Sequence, residues 1–294
     1  MILPVILGPT CAGKTSLALK IAKDINADIL SIDSRQVFKK LDIGTGKFKD
    51  RAEILKQEGY WEINGIKIYG YDFLEVNEDL NVIKYCEFAK RVIEESKSKK
   101  RNLIITCGTG FYLDFLMGNI SYNEINSERK NLLNTLSLEE LQSIFRSFET
   151  RPEVDEKNKV RLITSILSLE NPSAPKKFFQ VGGVEYQIFK IDDTRENFYL
   201  NADKFADLIL SEGVISEYEE LVAEYGTQRS LSGLIYSDIA EYVLGKINKD
   251  ELLTKIKFSL HAYIRRQETY FKKIKSEVTT SDRNLIAVKI SNLF

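Results

Sequence analysis

Four short apolar runs punctuate an otherwise mixed chain: "LPVIL" (3–7), "ADILSID" (27–33), "NLIIT" (102–106) and "YQIFKID" (186–192). Continuous apolar runs of this length fit strands buried on both faces of a parallel sheet. Between them the spacing becomes helical. "TSLALKIAKDI" places Leu17, Leu19, Ile21, Ala22 and Ile25 at mixed helical intervals. "LNVIKYCEFAKRVIEESKSKKR" puts Val82, Ile83, Tyr85, Cys86 and Ala89 on an apolar side and ends in cations that suit the negative end of the helix dipole. Strand, helix and strand alternate, so the pattern predicts an α/β fold with a parallel sheet.

From Asn119 the strand signal stops. Residues 119–176 are charged and helical in pattern and end in a proline-containing turn, which predicts a helical insertion. The core is then formed by 1–118 and 177–294. "TRENFYLNADKFADLILSEGVISEYEELVAEYG" predicts a helical stretch broken near Gly213, and 246–276 a helix or helix pair.

The 294 residues allow one large domain with an insertion, and 43% apolar with 29% charged residues is ordinary for a globular protein. A net charge of −1 excludes a uniformly basic nucleic-acid binder but not a local basic face. The three cysteines, Cys11, Cys86 and Cys107, form no C-x-x-C pair, which argues against a disulfide framework or structural zinc and for the cytoplasm. Neither a signal peptide nor a membrane span is expected. The single histidine, His261, has no identifiable partner acid. It is read as a helix-face residue, not as the base of a serine or cysteine nucleophile.

"GPTCAGKT" (8–15) satisfies G-x-x-x-x-G-K-[ST], with a strand before it and a helix after it. Gly8 and Gly13 let the backbone curl so that N–H groups along Thr10, Cys11 and Ala12 face phosphate oxygens. The helix N-terminus adds a favourable field. Lys14 supplies a mobile cation, and the Thr15 hydroxyl is a Mg²⁺ ligand. The motif implies a P-loop NTPase-like sheet flanked by helices. It recognises a diphosphate without specifying what the diphosphate carries, so a kinase, an ATPase and a diphosphate-releasing transferase all remain. Asp33 ends the second strand, where parallel sheets place their ligands. It either serves the chemistry, through Mg²⁺-bound water or as a proton acceptor, or caps a helix.

"GPTCAGKT", "DSRQVF" (33–38), "LDIGTGK" (41–47), "CGTGFYLDFL" (107–116) and "RRQETYF" (265–271) follow one another as in the tRNA dimethylallyltransferases, which the chain resembles over almost its whole length. The resemblance implies that the loop holds the diphosphate of dimethylallyl diphosphate, with no ATP hydrolysed. The prenyl group would pass to N6 of the adenosine 3′ of the tRNA anticodon. It also implies that Lys14 neutralises the diphosphate, Thr15 ligates Mg²⁺ and Asp33 is the general base. Ser34, Arg35 and Gln36 would line the site of the flipped adenine, and Thr109 would lie beside the tRNA backbone. Arg129, Arg161, Arg265 and Arg266 complete the implied tRNA contacts, and a monomer is expected.

The chain departs from the family pattern at several places. Cys107 replaces a glycine, and Phe48 closes "DIGTGKF" in place of proline. A diphosphate-binding arginine aligns with Asn201. Ile235 and Ser237 replace a glycine and a basic residue, and R-x-x-R-A-L-E survives only around Arg161. Arg35 is a candidate substitute for the missing charge.

Residues 246–276 carry nine Lys or Arg against three acids, interleaved with Tyr263, Tyr270 and Phe271. That suits an RNA backbone with stacked bases. The plainer reading is a solvated helix face over a core of Leu252, Leu253, Ile256, Leu260 and Ile264. Lys99, Lys100 and Arg101 are read as capping a helix. The competing functions are an adenylate isopentenyltransferase, which needs neither insertion nor basic face, a small-molecule P-loop kinase, and a catalytically impaired tRNA-binding paralogue.

Overall fold

The computed structural model describes residues 1–47, 54–123, 126–173 and 175–294. They divide into two compact units, Met1–Met117 with Gln180–Phe294, and Gly118–Phe179.

In the first unit, β1 (Ile2–Leu7) leads through the glycine loop into α1 (Lys14–Asp24) and β2 (Ala27–Ile32). A meander of β3 (Ile54–Gln57), β4 (Tyr60–Ile63) and β5 (Ile66–Tyr69) precedes α2 (Val82–Ser98), β6 (Asn102–Cys107) and α3 (Gly110–Leu116). The second unit holds β7 (Ser121–Tyr122), α4 (Ser127–Thr135), α5 (Leu138–Arg146), α6 (Lys159–Glu170) and β8 (Lys177–Phe178). The chain then returns to the first unit with β9 (Glu185–Ile191), α7 (Arg195–Ser211), α8 (Val214–Tyr225), a 3-10 turn at Arg229–Ser232, α9 (Leu234–Val243), α10 (Lys249–Phe271), β10 (Val278–Thr280) and α11 (Arg283–Ser291).

The sheet order is β10-β9-β1-β6-β2-β5-β4-β3, parallel from β10 to β5 and antiparallel through β4 and β3. The expected strands are all present. β1, β2 and β6 are almost wholly buried, which is why they read as unbroken apolar runs. Pro4 lacks an N–H, and it pairs in register only with Gln187 of β9, the β1–β6 ladder starting at Val5. The meander was not anticipated. Its Asn64–Gly65 turn has φ of 51° and 79°, the left-handed pair of a tight hairpin.

The register positions the site. Leu7 and Ile32 both pair with Cys107 at the C-terminal ends of β1, β2 and β6. The next residues, Gly8, Asp33 and Gly108, therefore leave the sheet side by side. Loops at this end of a parallel sheet form its ligand crevice.

The second unit packs α4, α5 and α6 around Leu133, Leu141, Phe145, Leu162, Ile163 and Ile166. Ser137 and Glu140 form a capping box at α5. The expected insertion, 119–176, was purely helical. The structure adds the antiparallel pair β7–β8, and the compact unit runs three residues further, to Phe179.

Candidate active site at the ends of the central strands

The glycine loop turns tightly at the end of β1. The Gly8 N–H donates to the Cys107 carbonyl at 3.3 Å, and the Ala12 N–H to that of Pro9 at 3.3 Å. Cys11 and Gly13 take left-handed conformations, φ 60° and 80°, so that α1 starts at Lys14 with its first N–H groups facing the crevice. Lys14 Nζ donates to the Pro9 carbonyl at 2.7 Å. Burial lowers the Lys14 pKa, opposed by the nearby Asp33 charge. Burial pushes the Cys11 thiol up to about 11, so it stays protonated at neutral pH.

Asp33 was open between a capping and a chemical role. Its two oxygens divide the work. Oδ1 accepts the N–H groups of Arg35 at 2.7 Å and Gln36 at 3.2 Å, fixing the turn after β2. Oδ2 faces the cavity, 3.4 Å from where a Cβ on Gly108 would lie, and Lys14 Nζ is 3.7 Å from the same point. A carboxylate oxygen and the loop ammonium thus converge on a space that only glycine leaves open.

The family-like motifs are hydrogen-bonded to one another around this space. The Ser34 N–H donates to Thr109 Oγ1 at 3.2 Å. Gln36 accepts the Ser31 hydroxyl at 2.9 Å and donates to the carbonyls of Thr45 at 3.2 Å and Gly46 at 3.3 Å. Glu217 of α8 accepts the N–H groups of Asp42, Ile43 and Gly44 at 2.9, 2.7 and 3.1 Å. Lys47, fully buried, pairs with Asp42 and Asp72. In "LDIGTGK" the charged residues therefore brace the loop, while Thr45 and Gly46 line the cavity.

Gln267 was missed as a site residue. Its Oε1 accepts the Thr10 N–H at 2.9 Å, and its Nε2 donates to the Gly108 carbonyl at 2.8 Å. One buried side chain thus joins the glycine loop to the loop after β6. The signal lay in α10, whose buried face runs Leu252, Ile256, Leu260, Ile264, Gln267, Phe271: a glutamine stands in an apolar stripe.

The resulting cavity has a volume of about 200 Å³ and is lined by Thr10, Cys11, Gly13, Lys14, Thr15, Asp33, Gln36, Gly108, Gln267 and neighbouring residues. A larger hollow of about 430 Å³ lies between Met1, Ser96 and Phe294, away from these motifs.

Other expected site residues lie elsewhere. Arg35 Nη2 donates to the Ser230 carbonyl at 2.6 Å, and Arg35 is not among the cavity-lining residues. It braces the segment before α9 and does not replace a diphosphate-binding arginine. Asn201 does not reach the cavity either; from α7, Phe205 does. Ile235 is buried, and the Ser237 hydroxyl donates back to the Leu234 carbonyl at 2.7 Å. Cys107 is fully buried at its strand end. Phe48 lies outside the described residues.

Arg265 and Arg266 are exposed on α10; Arg265 donates to the Tyr199 hydroxyl at 2.9 Å, and Arg266 lies over the Tyr263 ring. The interleaved aromatics are largely used by the fold: Phe271 is buried and the Tyr270 hydroxyl donates to Asp114 at 2.8 Å. His261 does have an acid partner, Asp203 at 2.8 Å, and stacks on Tyr199. The pair joins α7 and α10, 58 residues apart in sequence. Lys99, Lys100 and Arg101 cap α2 as expected, Lys100 at a left-handed φ of 52° and the Arg101 N–H donating to the Ser96 carbonyl at 2.9 Å, while the Arg101 side chain also reaches Asp28 at 3.1 Å and Asn26 at 2.6 Å. In the second unit Arg129 pairs with Glu170 at 3.0 Å, and Arg161 is exposed on α6.

The family model for IPP transferase matches residues 36–274. The chain belongs to the IPP transferase family. A model for isopentenyl transferase matches residues 1–65. Two curated relatives named tRNA dimethylallyltransferase are similar along nearly the whole chain. That of Lachnoclostridium phytofermentans is 31% identical over 301 residues, covering 96% of this chain and 92% of the relative. That of Acetivibrio thermocellus is 31% identical over 289 residues, covering 92% and 89%. The solved tRNA delta(2)-isopentenylpyrophosphate transferase of Staphylococcus epidermidis has a TM-score of 0.71 at 25% identity, covering 99% of this chain and 98% of that one. Membership sets aside the small-molecule kinase: the glycine loop of this chain lies within the match to the isopentenyl transferase model.

Proposed function

We propose that this IPP transferase moves a dimethylallyl group from dimethylallyl diphosphate to N6 of the adenosine 3′ of the anticodon in tRNA. It does so as a cytoplasmic monomer, with Asp33 as general base. The observation that carries the reading is the convergence of Asp33 Oδ2 and Lys14 Nζ on the glycine at 108. The loop N–H groups and Lys14 take up the leaving diphosphate. The N6 lone pair forms the new bond to C1 of the prenyl group as the C1–O bond breaks, and its electron pair departs with the diphosphate. The N6 proton passes to Asp33 Oδ2. The adenosine must leave its stack to present N6.

The residues fit Mg²⁺. The Thr15 hydroxyl and Asp33 line one cavity, and no cluster of three His, Cys, Asp or Glu is found among the described residues. Mg²⁺ characteristically uses few protein ligands and completes its shell with phosphate oxygens and water. Thr15 would hold the ion directly and Asp33 through water; when bound, it offsets charge developing on the diphosphate. For tRNA, Arg265 and Arg266 on α10 and Arg129 and Arg161 of the helical unit are the proposed backbone contacts. No helix of the described residues is long and apolar enough to cross a membrane.

The test is incubation with unmodified tRNA, Mg²⁺ and labelled dimethylallyl diphosphate. Label is expected in RNA. Bound but unlabelled tRNA would instead support a catalytically impaired paralogue.

A further inference from the structure

Among the described residues the cavity is polar at every wall but one. Their lining side chains are hydroxyls, amides, a lysine, an aspartate, a thiol and glycines, with a single large apolar exception, Phe205 of α7. The ring is not a remote packing residue. Its edge lies against Gly46, 3.1 Å from where a Cβ there would stand, and Gly46 is held from behind by the Gln36 amide at 3.3 Å. Phe205 is half-buried, with its helix neighbours Ala202, Ala206 and Ile209 turned into the core. The ring is thus held between a packed helix and a braced loop and borders the space that contains Lys14 and Asp33.

A diphosphate alone has no use for such a surface. It is fully polar, and an aromatic ring beside it displaces water without replacing the lost hydrogen bonds. An allylic diphosphate has two halves of opposite character, and only its hydrocarbon half gains from a ring. We infer that Phe205 is the wall against which the prenyl group of the donor lies, the glycine loop holding the other half. This rests on the prenyl-transfer reading and assigns the donor's hydrocarbon end to one residue. It also gives α7 a different task in this chain: where a diphosphate-binding arginine was expected on this helix, the helix brings an apolar surface to the cavity.

Calorimetric titration of wild type and Phe205→Ala with dimethylallyl diphosphate, methyl diphosphate and inorganic pyrophosphate, each with Mg²⁺, tests the assignment. Wild type is expected to bind dimethylallyl diphosphate about tenfold more tightly than methyl diphosphate, the worth of one to two buried carbons. Phe205→Ala should bring the two within about twofold, while Phe205→Leu, which keeps apolar bulk, should retain most of the difference. Pyrophosphate affinity should not move in either variant, which also shows that the loop is intact. The assignment is overturned if Phe205→Ala keeps the full preference. It is equally overturned if pyrophosphate weakens by the same factor, because the ring would then act by holding the Thr45–Gly46 loop. Tracer transfer to tRNA is scored separately: a Phe205-dependent preference without labelled tRNA keeps the wall and removes the transfer reading.

Discussion

Replacing Gln267 with leucine separates the glycine loop from the loop after β6 without leaving a hole. Leucine is close in volume and would continue the apolar stripe of α10. It would, however, leave the Thr10 N–H and the Gly108 carbonyl without the partners that Gln267 provides at 2.9 and 2.8 Å. Gln267 is only 6% exposed, so water does not already serve these groups. An orphaned buried group costs about 1–3 kcal/mol. Both groups border the cavity, where water can enter once the amide is gone, so the lower end applies to each and the sum is about 2 kcal/mol. For a chain of this size that is a fall in Tm of roughly 3 °C. Loss of the tie also loosens the loop that receives the diphosphate, weakening pyrophosphate by about tenfold if ~1.4 kcal/mol of its binding depends on the preset geometry. Circular-dichroism melts and pyrophosphate titration read the two effects. Gln267→Glu adds a control: it keeps the acceptor for Thr10 but at neutral pH sets a carboxylate against the Gly108 carbonyl and beside Asp33, so its pyrophosphate affinity should fall further and recover towards acid. An unchanged Tm together with unchanged pyrophosphate affinity in Gln267→Leu would refute the bridging role.

Gly108→Ala should leave the melt within about 1 kcal/mol of wild type. Its methyl would stand 3.4 Å from Asp33 Oδ2 and 3.7 Å from Lys14 Nζ, so steady-state assays should show impaired donor use despite a normal fold. Lys47→Met should cost about 3 kcal/mol in urea unfolding, because it takes the buried cation from Asp72 and leaves Asp42 with the more exposed Lys56. Burial raises the Asp42 pKa, but Lys47 and Lys56 outweigh it and hold the carboxyl below its ordinary value. A depressed carboxyl stabilises the fold above its unfolded pKa and loses that contribution as pH falls through the folded one. The Lys47→Met deficit should therefore be largest at neutral pH and shrink as pH falls below about 4, through the depressed folded pKa of Asp42, where unfolding curves of the two proteins draw together.

The parts of this fold that sequence disclosed were those with one dominant local cause. β1, β2 and β6 are apolar runs because both faces are covered, β9 is buried at Ile188, Phe189 and Ile191, and Gly213 breaks the helix between α7 and α8 with a left-handed φ of 92°. The β3–β5 meander was within reach. Trp61, Ile63, Ile66 and Ile68 are buried on alternate positions, and Asn64–Gly65 marks the turn, but four-residue strands carry little pattern. The glycine loop and Asp33 were legible from motif and position. The partners that give them geometry come from far along the chain. Gln267 lies 257 residues from Thr10, and Asp203 lies 58 from His261. Part of the basic character of 246–276 serves the fold, since Lys255 and Lys257 are paired with Glu241 and Asp207. Phe205 gave no sign at all: an aromatic in an amphipathic helix is ordinary until the chain brings it to the cavity.

Single-turnover transfer from dimethylallyl diphosphate to an unmodified anticodon stem-loop, followed by nucleoside analysis, compares wild type with Asp33→Asn most directly. Asparagine retains a side-chain oxygen for the Arg35 and Gln36 N–H groups but cannot take the N6 proton. Wild type should yield N6-dimethylallyladenosine at the position 3′ of the anticodon, and Asp33→Asn should slow it by about 100-fold or more with stem-loop and pyrophosphate affinities unchanged. An Asp33→Asn rate equal to wild type, or a wild type that yields no prenylated adenosine, would contradict the account.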